Sequence, residues 1–252
     1  MSRTLQLYIF EKAPRNMPPI TDLEGLSGEA LTRAVRRAAW HPWRDAYFWR
    51  SAALQVAKAP PSQVASRDLA QMCAAFRRIE FASPVLAQYC ERYFEERRQA
   101  LNTFELASVL LYFAAARLRA PESEKFAHNV ADEVCIEWRQ REVIPWVAWR
   151  MLVTGLAEMG VSHQKLFEAA SPHLAQSACR MSGRDAVAIC EAYAAFRFKH
   201  HGLLSEVARF LPSMGLRDSE VWALHAAFAE LEFDAPMLHR IRELRGLGGQ
   251  LP

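Results

Sequence analysis

Apolar residues recur along most of this chain at positions i, i+3, i+4 and i+7, the spacing that places them on one face of an α-helix. Leu69, Met72, Cys73 and Phe76 show this spacing, and comparable runs follow over most of the remaining sequence. Alternation of the kind typical of a strand is found near the N-terminus, over residues 5–9. The pattern predicts an all-α protein.

The helical runs are copies of one another. Residues 68–81 align without a gap with residues 185–198, so that an acidic residue, a cysteine, an aromatic residue and a final phenylalanine coincide. Residues 105–118 and 220–233 fit the same register, and a weaker copy surrounds Leu156. The five anchor positions are separated by 37, 43, 37 and 35 residues; they are Phe76, Phe113, Leu156, Tyr193 and Phe228. Such a period is typical of a two-helix repeat.

Each copy is predicted to hold a first helix, A, that carries the anchor, and a second helix, B. Ser66 and Ser162 are the predicted N-caps of two helices, and Ser83, Asn102 and Ser182 mark further helix boundaries. Because one hairpin cannot bury both of its apolar faces, successive hairpins should stack. The sequence therefore predicts an all-α fold, an α-solenoid of about six stacked helical hairpins.

The domain organisation follows from the same pattern. Residues 1–22 contain three prolines after the alternating stretch, and we expect an extended N-terminal arm there. The arm contains basic residues, as a mitochondrial targeting segment does. The sequence leaves open whether it is a retained targeting segment. Residues 23–245 are predicted to form the helical-repeat solenoid, and residues 246–252 a C-terminal tail.

The composition agrees with a helical globular chain of 252 residues, since 51% are hydrophobic, 23% are charged and only 10 are glycine. The five cysteines stand singly, which favours a reducing compartment and a packing role for each thiol. The longest apolar run, 106–116, is far shorter than the ~20 residues of a membrane-spanning helix. We therefore expect no membrane span.

The charge is nearly balanced, with 31 basic and 28 acidic residues and a net charge of +3. Any affinity for nucleic acid must therefore come from local arrangement. Arginine accounts for 26 of the basic residues, and its planar guanidinium group suits phosphates and bases. An arginine-rich and alanine-rich composition also follows from a GC-rich genome, and the two explanations stay open.

The sequence carries no catalytic constellation. It has no glycine-rich phosphate loop, and Ser162 with Lys165 matches Ser-x-x-Lys without the companion motifs of that class. Glu124 and His128 are four residues apart, whereas a bundle di-iron site needs Glu-x-x-His. We therefore expect a protein that is not an enzyme and has no cofactor, metal or small-molecule substrate.

The recurring pattern begins with an acidic residue and a leucine, followed by apolar residues at helical spacing. It continues with an alanine next to an aromatic residue and ends with a second aromatic residue. It resembles the organellar helical repeats of the heptatricopeptide and octotricopeptide type, in the group of FAST-kinase and RAP-domain proteins, over about residues 60 to 245. The resemblance implies a mitochondrial or plastid protein that binds RNA or belongs to an organellar ribonucleoprotein. The octotricopeptide Pro-Pro-Pro-Glu-Trp signature and a RAP-like domain are both missing from the sequence.

A solenoid presents equivalent positions of successive helices on one face, so RNA contacts should recur near the ends of the A helices. Cations in the last helical turn also offset the helix dipole without any RNA. Glu230 interrupts the series in the last repeat. The candidate RNA-binding residues are Arg33, Arg36, Arg37, Arg77, Arg78, Arg117, Arg119, Arg197 and Lys199.

These observations favour a non-catalytic, RNA-associated structural component of an organellar ribonucleoprotein, with the mitochondrial ribosome in the matrix as the first choice. Its partners would be RNA, ribosomal by the resemblance, and neighbouring protein subunits. The alternative is a protein-protein scaffold or accessory subunit of a respiratory complex or ATP synthase. In that case the solenoid would receive a peptide arm or helix.

Overall fold

The computed structural model describes residues 22–41, 44–116, 121–136 and 144–247. These residues form twelve α-helices and contain no strand. The chain divides into two compact units, residues 1–119 and 120–252, which are described separately. The predicted N-terminal arm lies outside the described residues except for residue 22, as does the C-terminal tail from residue 248 onward.

The first unit contains two helical hairpins and the first helix of a third. The A helices are α1 (Gly28–Trp40), α3 (Ser66–Arg78) and α5 (Thr103–Ala115), and the B helices are α2 (Ala46–Lys58) and α4 (Pro84–Arg97). A short 3-10 turn follows each B helix, at Pro61–Gln63 and Arg98–Ala100. This turn leads the chain into the next A helix.

The second unit begins with a B helix and continues with three complete hairpins. Its A helices are α7 (Trp146–Met159), α9 (Gly183–Ala195) and α11 (Asp218–Glu230). Its B helices are α6 (Pro121–Val134), α8 (Gln164–Gln176), α10 (His201–Phe210) and α12 (Pro236–Leu244). The 3-10 turns Ala178–Arg180 and Leu211–Ser213 again follow the B helices α8 and α10.

Within each unit the helices form two rows. In the first unit α1, α3 and α5 pack side by side, and α2 packs against α4. In the second unit α7, α9 and α11 form the A row, and α6, α8, α10 and α12 form the B row. Each helix thus contacts the helix two places along the chain, which is how stacked hairpins share a core. The predicted all-α, solenoid-type fold is confirmed. A single array over 23–245 stays a prediction.

Four of the A helices, α3, α7, α9 and α11, end in a recurring turn. Glu80, Gly160, Arg197 and Glu232 all have a positive φ, between 49° and 73°, four residues after an anchor. The next residue donates its backbone N–H to the anchor's carbonyl oxygen at 2.9 to 3.0 Å, from Phe81, Val161, Phe198 and Phe233. This is the Schellman termination, in which a left-handed residue closes the helix and a hydrophobic contact spans the turn. The repeat seen in the sequence is therefore also a repeat of backbone geometry, and it includes the weaker copy at Leu156.

Aromatic contacts join two of these turns, those after α3 and α9, to the preceding B helix. Trp49 of α2 packs edge-on against the anchor Phe76 at a centroid distance of 4.9 Å. Phe167 of α8 packs against the anchor Tyr193 in the same way, also at 4.9 Å. The phenylalanine after each of these two turns completes the group, with Phe81 beside Trp49 and Phe198 beside Phe167. The anchors Phe76 and Tyr193 therefore occupy equivalent environments, one in each unit.

Two buried tyrosine hydroxyls add polar links between an A helix and the B helix before it. Tyr112 of α5 donates to the carbonyl oxygen of Ser83 and accepts its N–H, both at 3.0 Å. Tyr193 of α9 donates to the carbonyl oxygen of Phe167 at 3.1 Å. Burial raises the pKa of both phenols, so each hydroxyl keeps its proton for these bonds.

The N-caps of the helices agree only in part with those predicted from the sequence. Asn102 and Ser182 cap their helices in capping boxes, and the Ser83 hydroxyl accepts the N–H of Leu86. The predicted caps Ser66 and Ser162 are wrong by one position. Ser66 is already the first residue of α3, with Ala65 before it. His163 caps α8 by accepting the N–H of Leu166 on its Nδ1.

Three of the five cysteines lie in the core. Cys73, Cys90 and Cys190 are buried as expected, whereas Cys135 is half-buried and Cys179 is exposed. Cys179 lies in a 3-10 turn rather than on an apolar helix face, which explains why the packing prediction is wrong for it.

Among the described residues no helix combines the length and apolar character needed to cross a bilayer.

Replacing Gly160 with alanine should lower the free energy of unfolding by about 1 kcal/mol, because φ = 73° disfavours a side chain there. A Cβ atom at this position meets no heavy atom within 4 Å, so the loss would reflect backbone strain alone. Glu80→Gly should act in the opposite direction, by about 0.5 kcal/mol, since Glu80 occupies the same turn position. Guanidinium denaturation followed by circular dichroism measures both. Equal effects of the same sign would contradict this account of the turn.

Candidate nucleic-acid interface

One face of α1 carries three of the seven candidate basic residues of the first unit. Arg33, Arg36, Arg37 and Trp40 lie at i, i+3, i+4 and i+7, which places them on one side of the helix. The opposite side is buried, because it packs against α2 and α3. We call the surface formed by Arg33, Arg36, Arg37, Trp40 and, from α3, Arg78 the basic face.

The Trp40 ring and the Arg78 guanidinium group form the end of the basic face. The Arg78 Cζ atom lies 4.1 Å from the centroid of the Trp40 ring, in a cation–π contact between α1 and α3. Trp40 is 36% exposed. A planar guanidinium group stacked on a partly exposed indole is a surface on which an unpaired base can stack.

Two of the other arginines of the basic face, Arg33 and Arg36, contact neighbouring polar groups. Arg33 forms an exposed ion pair with Glu29 at 2.7 Å, and Arg36 donates to Gln71 Oε1 at 3.0 Å. The Nε atom of Arg37 is buried and finds no hydrogen-bond partner in the described part of the chain. An exposed pair such as Arg33 and Glu29 stabilises little, so phosphate can replace the carboxylate at small cost.

One carboxylate of α3 belongs to the same neighbourhood. Burial raises the pKa of Asp68 above its usual 3.8, and the nearby charge of Glu29 raises it further. The charges of Arg67 and Arg36 act against this shift. The side chain of Asp68 is half-buried between the A helices, so it offsets part of the positive charge of the basic face.

The remaining candidates of the first unit lie at or beyond the ends of A helices. Arg77 is exposed in the last turn of α3, next to Arg78. Arg117 and Arg119 lie outside the described residues. Of the seven candidates in this unit, the structure thus brings four together with Trp40.

The two candidates of the second unit connect neighbouring repeats. Arg197 donates from Nε to Glu230 at 2.8 Å, and Lys199 donates from Nζ to the carbonyl oxygen of Glu232 at 2.6 Å. Both contacts join the segment after α9 to the C-terminal end of α11 and the turn that follows it. The acidic residue that interrupts the basic series in the sequence is therefore the ion-pair partner of Arg197.

Sequence reasoning missed two further features. Arg150 of α7 and Asp185 of α9 form a half-buried ion pair at 2.6 Å between neighbouring A helices. Asp185 also belongs to the capping box of α9. The second feature is the place of Trp40 on the basic face, although its position seven residues after Arg33 is a signal visible in the sequence.

A cluster of polar and aromatic side chains joins α11 to α12. The ring of His225 packs edge-on against Trp222 and His239, and the guanidinium group of Arg242 lies 4.5 Å from the Trp222 ring centroid. Burial lowers the pKa of His225 below its usual 6.5, and the charges of Arg242 and His239 lower it further. The described residues include no group of three or more side chains suited to holding a metal ion.

No family model matches the chain, and no curated protein matches it in sequence. Its function is therefore inferred from its own residues and contacts. The basic face can bind phosphate groups through guanidinium donors and can stack a base on Trp40 and Arg78.

The His225 cluster predicts how stability depends on pH. Because the folded protein lowers the pKa of His225, the unfolded chain binds a proton first as the pH falls. The contribution of this residue is complete above about pH 6.5 and is lost as the pH drops below that value. Melting temperatures between about pH 8 and pH 5 should fall less in His225→Gln than in the original protein. The same pH dependence in both proteins would contradict the prediction.

Proposed function

We propose that this chain is a non-catalytic helical-repeat protein that acts as an RNA-associated structural component of an organellar ribonucleoprotein. The observation that carries the proposal is the basic face, where consecutive A helices bring four arginines and a partly exposed tryptophan to one surface. Unpaired RNA is recognised by this combination, because guanidinium groups bind phosphates and aromatic rings stack on bases.

The distribution of charge supports an RNA site in the first unit rather than along the whole chain. Residues 1–119 hold 17 basic and 11 acidic residues, a net charge of +6. Residues 120–252 hold 14 basic and 17 acidic residues, a net charge of −3. Such asymmetry is typical of chains in which one part contacts nucleic acid and another does not.

The modest total charge favours a component of an assembly over a protein that captures RNA alone. Phosphate neutralisation supplies most non-specific RNA affinity, and a net charge of +3 supplies little of it. Neighbouring subunits would then contribute the rest of the binding energy. The resemblance of the repeat to organellar helical repeats supports an assembly of the mitochondrial matrix, with the mitochondrial ribosome as the first choice.

The combined change Arg33→Ser and Arg78→Ser should weaken binding of a labelled single-stranded RNA by about tenfold, because it removes two guanidinium donors and the stacked cation. The slope of log affinity against log salt should also fall by about 0.7 for each phosphate that the variant no longer neutralises. Fluorescence anisotropy titrations of the full chain at several salt concentrations measure both quantities.

Arg184→Ser with Arg209→Ser is the matched control, since it removes two exposed arginines of the second unit, neither of them a candidate RNA-binding residue. It should leave RNA affinity and its salt dependence unchanged. The assignment of RNA binding to the basic face would be contradicted by equally weakened binding in the control and in the Arg33 and Arg78 variant. It would also be contradicted if the original protein bound no RNA.

A protein-protein scaffold, as an accessory subunit of a respiratory complex or ATP synthase, is the second candidate. The contacts of the second unit favour it, because Arg197, Lys199 and Arg150 bind groups of their own chain. Cations used in this way hold repeats together and leave less charge for RNA.

The two functions differ in how the native complex responds to ribonuclease. If RNA holds the protein in its assembly, ribonuclease treatment of organelle extracts should shift the chain to lower mass on native gels. Ribonuclease-resistant migration with a membrane complex would favour the scaffold.

A further inference from the structure

The B helix α2 exposes two large apolar side chains on one face. Tyr47 is 79% exposed and Leu54 is 52% exposed, and they lie seven residues apart, which is two helical turns. Arg50 and Lys58 continue the same line at spacings of three and four residues, and both are exposed. We call the line of Tyr47, Arg50, Leu54 and Lys58 the α2 stripe.

The α2 stripe is distinct from the apolar face by which α2 joins the core. Phe48, Trp49, Ala52, Ala53 and Val56 are the buried residues of the helix. They face the opposite side, toward α1 and α4. The exposed apolar residues are therefore not part of the packing that holds the first unit together.

Four of the other B helices, α4, α6, α8 and α10, differ from α2 at their surfaces. No large apolar residue is exposed on α4, α6, α8 or α10 over the positions that the structure describes. Four of the six exposed large apolar side chains belong to α2 and α12, the first and last B helices of the described chain. Exposed apolar side chains grouped on one helix surface mark a site that a partner covers.

The charges of the α2 stripe identify the chemistry of its partner. Neither Arg50 nor Lys58 makes a side-chain ion pair or hydrogen bond within the described residues, in contrast to Arg33, Arg150 and Arg197. The stripe thus alternates apolar and cationic side chains whose charges are unmatched. A complementary surface alternates aliphatic side chains with carboxylates.

We propose that the α2 stripe is the docking site for an acidic amphipathic helix of a partner protein. The stripe extends about 16 Å from Tyr47 to Lys58, which is the length of three helical turns. The partner would place aliphatic residues against Tyr47 and Leu54. Its carboxylates, about 12 Å apart, would pair with Arg50 and Lys58.

A helix explains this surface better than RNA or a membrane does. The aliphatic side chain of Leu54 offers a base neither a hydrogen bond nor an aromatic ring for stacking. An interfacial membrane helix inserts its main apolar face between lipids, whereas the main apolar face of α2 is buried in the protein. The proposal is independent of RNA binding by the basic face, which lies on α1 and α3.

The test uses the full chain and two labelled synthetic peptides, each a helix of four turns with leucines along one side. One peptide has glutamates beside the leucines, and the other has lysines there. Fluorescence anisotropy should show that the protein binds the glutamate peptide at least about tenfold more tightly than the lysine peptide. Equal affinities would overturn the proposal.

Variants then locate the site. Tyr47→Ser with Leu54→Ser should reduce binding of the glutamate peptide by at least about tenfold, because it removes the two exposed apolar side chains. Met237→Ser with Leu244→Ser is the matched control, since it removes the same spacing of exposed apolar residues from α12. The control should bind as the original protein does. An equal reduction in both would show non-specific hydrophobic binding and would overturn the proposal.

Charge reversal provides a gain that misfolding cannot imitate. Arg50→Glu with Lys58→Glu should prefer the lysine peptide over the glutamate peptide. An unchanged preference would contradict the pairing.

The Tyr47 and Leu54 variant should keep the original affinity for single-stranded RNA and for phosphatidylserine vesicles. Weaker binding of either by that variant would assign the stripe to RNA or lipid instead.

Discussion

The backbone hydrogen bond that closes an A helix also positions the contact between one hairpin and the next. After α3, α7, α9 and α11 the chain takes one left-handed residue and then returns its next N–H to the anchor carbonyl. In α3 and α9 this brings the following phenylalanine beside the anchor, where an aromatic side chain of the preceding B helix meets both. Each aromatic pair contributes about 0.5 to 1.5 kcal/mol beyond its buried area, so the turns link local backbone geometry to the stability of the stack.

The stack determines which side chains remain available for other molecules. Ion pairs between neighbouring A helices, such as Arg150 with Asp185, use charged groups that the sequence alone leaves unassigned. Arg197 and Lys199 are used in the same way at the turns of the second unit. In the first unit the corresponding end of α3 carries Arg78, whose guanidinium group stacks on the Trp40 ring instead of pairing with a carboxylate. The two units therefore use cations at related positions differently.

The two helix rows of the first unit present different chemistry. The A row carries the basic face, where guanidinium groups and Trp40 suit phosphates and bases. The B row begins with α2, whose exposed stripe alternates apolar and cationic side chains. A component of a ribonucleoprotein needs both kinds of contact, since RNA and protein neighbours must be held at once. The separation follows from the hairpin, because its two helices face opposite sides of the layer.

The sequence by itself determined the helices, their period and the equivalence of the anchors, because helical spacing and capping are local properties of neighbouring residues. It also contained the spacing that places Trp40 with Arg33. Only the tertiary structure decided the partner of each arginine, since Arg78 and Trp40 are 38 residues apart and Arg197 and Glu230 are 33 apart. It also decided that Tyr47 and Leu54 face away from the core, because α2 is hydrophobic on more than one side and packing selects the side that is buried.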